Sequence, residues 1–340
     1  MSNWSDVLAR VAGLKSRLLS GEQLRTLARS PDLPALAEGM ERAGFPVRAT
    51  VLGISPAALD LAVRRQAGGA LRILGRWCGS RATDLAVIFE DEDRRSLRIL
   101  LRGLIQGVAP ATRLSGLLPT PALPERVLEE LAEQQSGEAL AGLLSIWGCP
   151  FGPPLLRELS LVEPDLFRLE LLLDRTWAER ALGSGRVHDP VVRRFAQTSI
   201  DLANARSVLL LALQGTDVEA GNAFLPGGEM LGLMEFTRAA ASGGPDKALS
   251  LLTKLFAPSP FAGVLREHKD LSTLEEALLV EHASQFRRLA RREPNGLAPV
   301  FAYVLRLRKQ VIDLRRLVWG VALDVPRPVL SAEMAGGAGG

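Results

Sequence analysis

The chain is poor in the residue types that usually carry chemistry. Its 340 residues include only 2 cysteines, 3 histidines and 1 tyrosine. Cys78 and Cys149 are far apart and form no CxxC pair, which excludes a disulfide framework or a thiolate metal site and leaves two inert, reduced thiols. His188, His268 and His282 form no HExxH and no close pair, so no metal is expected. GSGR (Gly183 to Arg186) and PGGEMLG (Pro226 to Gly232) are glycine-rich but match neither phosphate-binding pattern. No GxSxG elbow and no paired DDxxD pattern occurs. The expectation is a protein with no catalytic residue, no cofactor and no small-molecule substrate.

Long apolar runs are missing too. Runs such as VLLLAL (Val208 to Leu213) fall far short of the roughly 18 residues that cross a bilayer. MSNWSDVLARVAGLK has no basic start leading into an unbroken apolar stretch, so no signal peptide is read. A soluble, cytoplasmic protein is expected. Lysine is scarce, at Lys15, Lys247, Lys254, Lys269 and Lys309, so arginine supplies nearly all the positive charge. Net charge is only +3, and the arginines are interleaved with Asp and Glu, which argues against a nucleic-acid surface. Alternating β-branched stretches are rare. VRATVLGI (Val47 to Ile54) is the best strand candidate and has no evident partner.

What is present is aliphatic and helical. Hydrophobic residues make up 47% and aromatics 5%, so aliphatic side chains must build the core. LARVAGLKSRLL (Leu8 to Leu19) and SLVEPDLFRLELLLDRTWAERAL (Ser160 to Leu182) carry apolar residues at helical spacing, the second with Asp165 placed to cap it. LSTLEEALLVEHASQFRRLARRE (Leu271 to Glu293) has Ser272 and Glu275 at capping-box spacing. FEDEDRR (Phe89 to Arg95), the densest charge run, reads as a solvated helix start whose acids complement the helix N-terminus. The fold class is all-α. The tail SAEMAGGAGG (Ser331 to Gly340) is expected to be disordered.

The helices repeat. Arg98, Arg206 and Arg315 are 108 and 109 residues apart, each in a polar helix head followed by an aliphatic body. Ser96, Asn204 and Asp313 precede them by two residues, and Leu100–Leu101, Val208–Leu209 and Leu317–Val318 follow. Leu36, Leu140 and Leu249 open short amphipathic helices spaced 104 and 109 residues apart, in the same order. Two landmarks at nearly one period mark a threefold duplication. The expected units are 1–115, 116–222 and 223–330, with the tail at 331–340. Three similar bundles are expected to pack around a pseudo-threefold axis, leaving a funnel.

Four stretches carry a family resemblance. ARVAGLKSRLLSGEQLRTLARSPDLPALAEGMERAGFP (Ala9 to Pro46) resembles the opening of the C subunit of V/A-type rotary ATPases, whose eukaryotic counterpart is the d subunit. IDLANARSVLL (Ile200 to Leu210), NAFLPGGEML (Asn222 to Leu231) and FAYVLRLRKQVIDLRRLVWGVALDVP (Phe301 to Pro326) resemble later motifs of that family, in order. Departures are the single Tyr303, Ala205 in place of Leu, Asp313 where Asn is usual, and Val321 where Lys follows the glycine. The resemblance implies a non-catalytic rotor component, present in a single copy at the cytoplasmic face of the membrane. It would link the central shaft, made of the D and F subunits, to the proteolipid c ring and transmit torque for ion transport. Arg98, Arg206 and Arg315 are candidate partner contacts if they face the cavity; the other reading pairs them with carboxylates of their own bundles. A generic α-helical adaptor for a partner helix, and a helical enzyme with an unrecognised pocket, are the alternatives.

Overall fold

Helices begin where short polar side chains catch the free amides of a first turn. Ser20 and Gln23 form a reciprocal capping box, with Gln23 N–H donating to Ser20 Oγ at 3.2 Å and Ser20 N–H to Gln23 Oε1 at 2.8 Å. Asp32, Ser55, Ser136, Asp165, Asp189 and Asp270 cap six more. Asp165 acts as expected, accepting from Phe167 N–H at 3.0 Å. The expected box at Ser272 and Glu275 is corrected: the helix starts two residues earlier, and Asp270 caps it by accepting from Thr273 N–H at 3.0 Å. Glu275 is thereby free for an ion pair described below.

The computed structural model describes residues 4–45, 47, 54–160, 165–183, 189–215, 220–268 and 270–336. Among them there is no strand, and the fold is all-α. The helices are α1 (Ser5–Lys15), α2 (Gly21–Leu27), α3 (Leu33–Arg42), α4 (Pro56–Cys78), α5 (Ala82–Ile105), α6 (Pro110–Arg113), α7 (Glu125–Ala132), α8 (Gly137–Ile146), α9 (Gly152–Leu159), α10 (Leu166–Leu182), α11 (Pro190–Gln214), α12 (Leu233–Ala240), α13 (Pro245–Leu255), α14 (Phe261–Glu267), α15 (Leu271–Arg292), α16 (Ala298–Ala322) and α17 (Arg327–Gly336). The strand candidate at Val47 to Ile54 lies mostly outside the described residues.

Short helices followed by two long ones occur three times in this order: α2–α5, α7–α11 and α12–α16. The second long helix of each set stops in the same way. Nine residues after Arg98, Arg206 and Arg315 stand Gly107, Gly215 and Asp324, with φ of 66°, 63° and 52°. That left-handed turn closes a helix C-terminus, and Asp324 is the one non-glycine with positive φ among the described residues.

Two apolar cores hold the helices together. The larger contains side chains from α1–α5, α7–α11 and α15–α17, with Trp177, Phe195, Phe286 and Phe301 fully buried in it. The smaller joins the C-terminal half of α11 to α12–α14 and the start of α15. The expected disordered tail is corrected at its start. Ser331 to Gly336 continue α17, which buries Leu330 and Met334 at 2% exposure each, while residues 337–340 lie outside the described residues. Leu330 packs where a side chain on Gly320 would sit, 2.5 Å from the position of a Cβ, so a larger residue there would have to displace it.

Candidate functional site

The polar heads of α5, α11 and α16 answer what each long helix holds. In α11, Asp201 is fully buried and accepts three backbone hydrogen bonds, from Glu229, Met230 and Leu231, at 2.9–3.1 Å. Asn204 pins the same loop at both groups of one residue: Leu225 N–H donates to its Oδ1 at 2.9 Å, and its Nδ2 donates to Leu225 O at 2.8 Å. Gly228 has no side chain because Asp201 occupies the space, 2.2 Å from where a Cβ would stand.

Equivalent positions do equivalent work in the other two helices. Five residues before Arg98, Asp93 accepts from Thr120 Oγ1, and Ser96 accepts from Leu118 N–H at 3.4 Å. Five residues before Arg315, Gln310 accepts from Leu19 N–H at 2.6 Å. So Leu118, Leu225 and Leu19, all buried, are each caught by a polar side chain of a long second helix. With the unit boundaries expected from the repeats, α5 of 1–115 holds the start of 116–222, and α11 of 116–222 holds the start of 223–330. Then α16 of 223–330 holds the start of 1–115.

The arginines follow the same circuit one layer away. Arg98 meets Asp174 and, at 3.5 Å, Glu170 on α10. Arg206 meets Glu275 on α15 at 2.5 Å, and also Glu170 at 2.7 Å. Arg315 meets Asp60 on α4 at 2.9 Å and Ser115 Oγ at 2.8 Å. Asp60, Glu170 and Glu275 are each the fifth residue of their helix. Each arginine therefore reaches from the second long helix of one expected unit to the same place on the first long helix of the next. All three candidate contact residues are engaged by this chain's own carboxylates, each by at least one in the next expected unit, while Arg206 also meets Glu170 within its own.

FEDEDRR lies at the centre of a larger network, and the expected solvated helix start is corrected. The run is in the middle of α5, with Asp91, Glu92, Asp93 and Arg94 at 0–3% exposure. Asp91 is bound by Arg94, by Arg95 at 3.1 Å and by Arg308 of α16 at 2.8 Å; Glu92 is also bound by Arg308. Arg94 continues to Asp174 at 2.7 Å and lies 4.4 Å from the centre of the Trp177 ring. Asp174 leads to Arg98, Glu170, Arg102 and Arg206. One chain of charge thus ties α5, α10, α11, α15 and α16.

Neighbouring acids respond in opposite directions. Burial pushes Asp91 up, but the guanidiniums of Arg95, Arg94 and Arg308 outweigh it and hold the carboxyl well below its ordinary value. Asp93 has only the Thr120 hydroxyl against the burial, and is pushed up to about 8. Glu170 is held down despite burial by Arg102, Arg206 and Arg98. His282, fully enclosed by Phe195, Phe261 and Phe286, is pushed down by burial to about 3 and stays neutral.

The sequence held one unread signal. Leu85 and Ile88 lie on the buried face of α5, and helical spacing carries that face directly to Asp91 and Glu92. Acids continuing an apolar stripe need buried cations, and those come from Arg94 and from Arg308, which is remote in sequence.

The model of the ATP synthase (C/AC39) subunit family matches residues 7–331. The chain belongs to that family. A relative named as the C subunit of an A-type ATP synthase, from Haloferax volcanii, is 26% identical, over 98% of this chain and 97% of its own. Those of the same name from Halorubrum lacusprofundi and Methanocaldococcus jannaschii are 26% and 22% identical, covering 98% and 94% of this chain and 97% and 83% of their own.

In this C/AC39 family member, two of the departures from the motif have defined surroundings. Ala205 is buried in the smaller core at 1% exposure. Asp313 is bound by Lys309, one helical turn back, which also lies 3.9 Å from Glu276. Among the described residues no three His, Cys, Asp or Glu side chains converge to hold a metal ion, and no helix is long and apolar enough to cross a membrane.

Proposed function

We propose that the chain is the rotor socket of a V/A-type rotary ATPase, a non-catalytic component that transmits torque between the shaft and the proteolipid ring. The observation that carries this reading is the head-to-tail circuit. Side chains of α5, α11 and α16 each grip the start and the first long helix of the following unit, and the third grips the first. Such a circuit favours three bundles closed around an axis, with room at the centre for a shaft.

A part that carries torque must resist shear between its units. Dense aliphatic packing has low compressibility, and buried ion pairs are costly to separate because each leaves an unmet charge in a low-dielectric interior. Both features lie at the junctions between units here. The relatives' name, the C subunit of an A-type ATP synthase, supports the same assignment. On this reading the protein sits in one copy at the cytoplasmic face of the membrane, against the D and F subunits on one side and the c ring on the other.

The test is affinity purification of the tagged chain from detergent-solubilised membranes of its own source, repeated across ionic strength. Shaft subunits and proteolipid should co-elute with it, one copy of the chain per complex. A monomer that ignores both at low salt and micromolar concentration would overturn the proposal.

A further inference from the structure

Arg65, Arg72 and Arg76 lie along one exposed line of α4. At about 100° per residue they fall within an arc of roughly 40°, and the line is about 16 Å long. None of the three has an ion-pair partner among the described residues. Asp60, the one acid of α4, is already bound to Arg315. Arg10 of α1 joins the patch by stacking over Trp77, 5.5 Å from the ring centre, and it too has no acid partner among the described residues. Like charges at this spacing repel along a helix. Elsewhere, in the core of this molecule, an arginine on one long helix is met by a carboxylate on another.

The line also has room for a close neighbour. Gly69 falls between Arg65 and Arg72, and a Cβ there would meet nothing within 4 Å. Ile73 adds an exposed apolar shoulder at 37% exposure. The matching positions do not repeat the full pattern: α10 carries Arg175 and Leu182 and ends before the third position, and α15 carries Val280, Arg287 and Arg291. The three-arginine line therefore distinguishes one of three otherwise similar long helices.

We infer that the outer line of α4 is a docking surface for an acidic α-helix of a partner subunit, laid along Arg65, Arg72 and Arg76. A helix is favoured over nucleic acid or anionic lipid. The patch is straight, one helix wide, lacks lysine, and has a glycine and an isoleucine positioned for side-chain contact. The inference rests on the reading above only in expecting a partner subunit. Because the surface is unique to α4, it would fix the rotational setting of a partner on a body with near-threefold repetition.

The probe is a labelled helical peptide with Glu on one face, titrated onto the full chain by fluorescence anisotropy. Its Gln counterpart, a single-stranded DNA 20-mer and phosphatidylglycerol vesicles are the comparison arms. Changing Arg65→Gln, Arg72→Gln and Arg76→Gln together should weaken Glu-peptide binding at least tenfold. Changing Arg238→Gln, Arg291→Gln and Arg292→Gln, which removes the same charge elsewhere, should leave it within twofold. Binding should fall as salt rises. Equal binding by the parent and the α4 variant overturns the inference, as does tighter stripe-dependent binding of DNA or vesicles. Complex assembly separates the two proposals. If the parent assembles with shaft and ring and the α4 variant does so with the same salt midpoint, the docking surface is refuted and the rotor role stands. If the parent fails to assemble but the Glu peptide still needs the stripe, the surface stands without the rotor.

Discussion

Asp91 and Asp93 stand two residues apart in α5, yet replacing each with asparagine should have different consequences. Asp91 neutralises three buried or half-buried guanidiniums, those of Arg94, Arg95 and Arg308. Removing its charge leaves them opposed by Glu92, Asp174 and the more distant Glu275, and breaking a buried pair in this way costs about 3–5 kcal/mol. With about 2.1 cal/mol/K of unfolding entropy per residue, a 340-residue chain melting as one unit should lose about 4–7 °C. Asp93 is different because its raised value, about 8, keeps it protonated at neutral pH. The folded form then holds a proton that the unfolded chain releases above its ordinary value of 3.8. Stability therefore falls as pH rises between those values, by about 1.4 kcal/mol per pH unit. Asp93→Asn removes that slope while its amide oxygen can still accept from Thr120, so at pH 7 it should be no less stable than the parent. For Asp91 the sign reverses. Its lowered value means the stabilisation is present above 3.8 and lost as pH falls through the folded value, so Asp91→Asn should flatten the acid limb. Urea unfolding at pH 3, 5, 7 and 8, followed by circular dichroism, reads both effects. Equal losses for the two variants, with parallel pH profiles, would refute the reasoning.

Other substitutions test the loop grip and the aromatic cluster. Asn204→Ala leaves the buried N–H and C=O of Leu225 unpaired and should cost about 2–4 kcal/mol in urea unfolding. Gly228→Ala drives a methyl into the Asp201 carboxylate and should cost at least about 2 kcal/mol, with faster hydrogen exchange at Glu229 to Leu231. His282→Phe should be tolerated at pH 7, since the ring stacks on Phe195 and Nε2 has no hydrogen-bond partner. It should also remove the loss of stability as pH falls from 6.5 toward about 3, a range in which only the unfolded histidine takes up a proton.

Helical spacing and caps were legible because they are local. α1, α3, α8, α10 and α13 form where apolar periodicity and breakers place them, and Asp165 caps as its position implies. The repeat landmarks were legible as well: positions aligned on Arg98, Arg206 and Arg315 also align at the left-handed helix ends. What could not be read was partner choice. Arg308 and Asp91 are 217 residues apart, and nothing near either names the other. FEDEDRR resembles a solvated run because its composition is charged; only its place midway along the buried face of α5 reverses that reading. Ser272 and Glu275 had the spacing of a box, but Asp270 caps the helix and Arg206 claims the glutamate. Arg98, Arg206 and Arg315 were recognised as equivalent, but the remote helices they reach are set by tertiary packing.

A cryo-electron-microscopy map of the detergent-extracted complex tests the central claim most directly. The account predicts one copy of this chain between shaft and membrane ring. Within it, 1–115, 116–222 and 223–330 should superpose by rotation about the shaft axis, with Arg98, Arg206 and Arg315 at the three junctions. A map that places the chain on a static peripheral arm, or leaves it out of the complex, would contradict it.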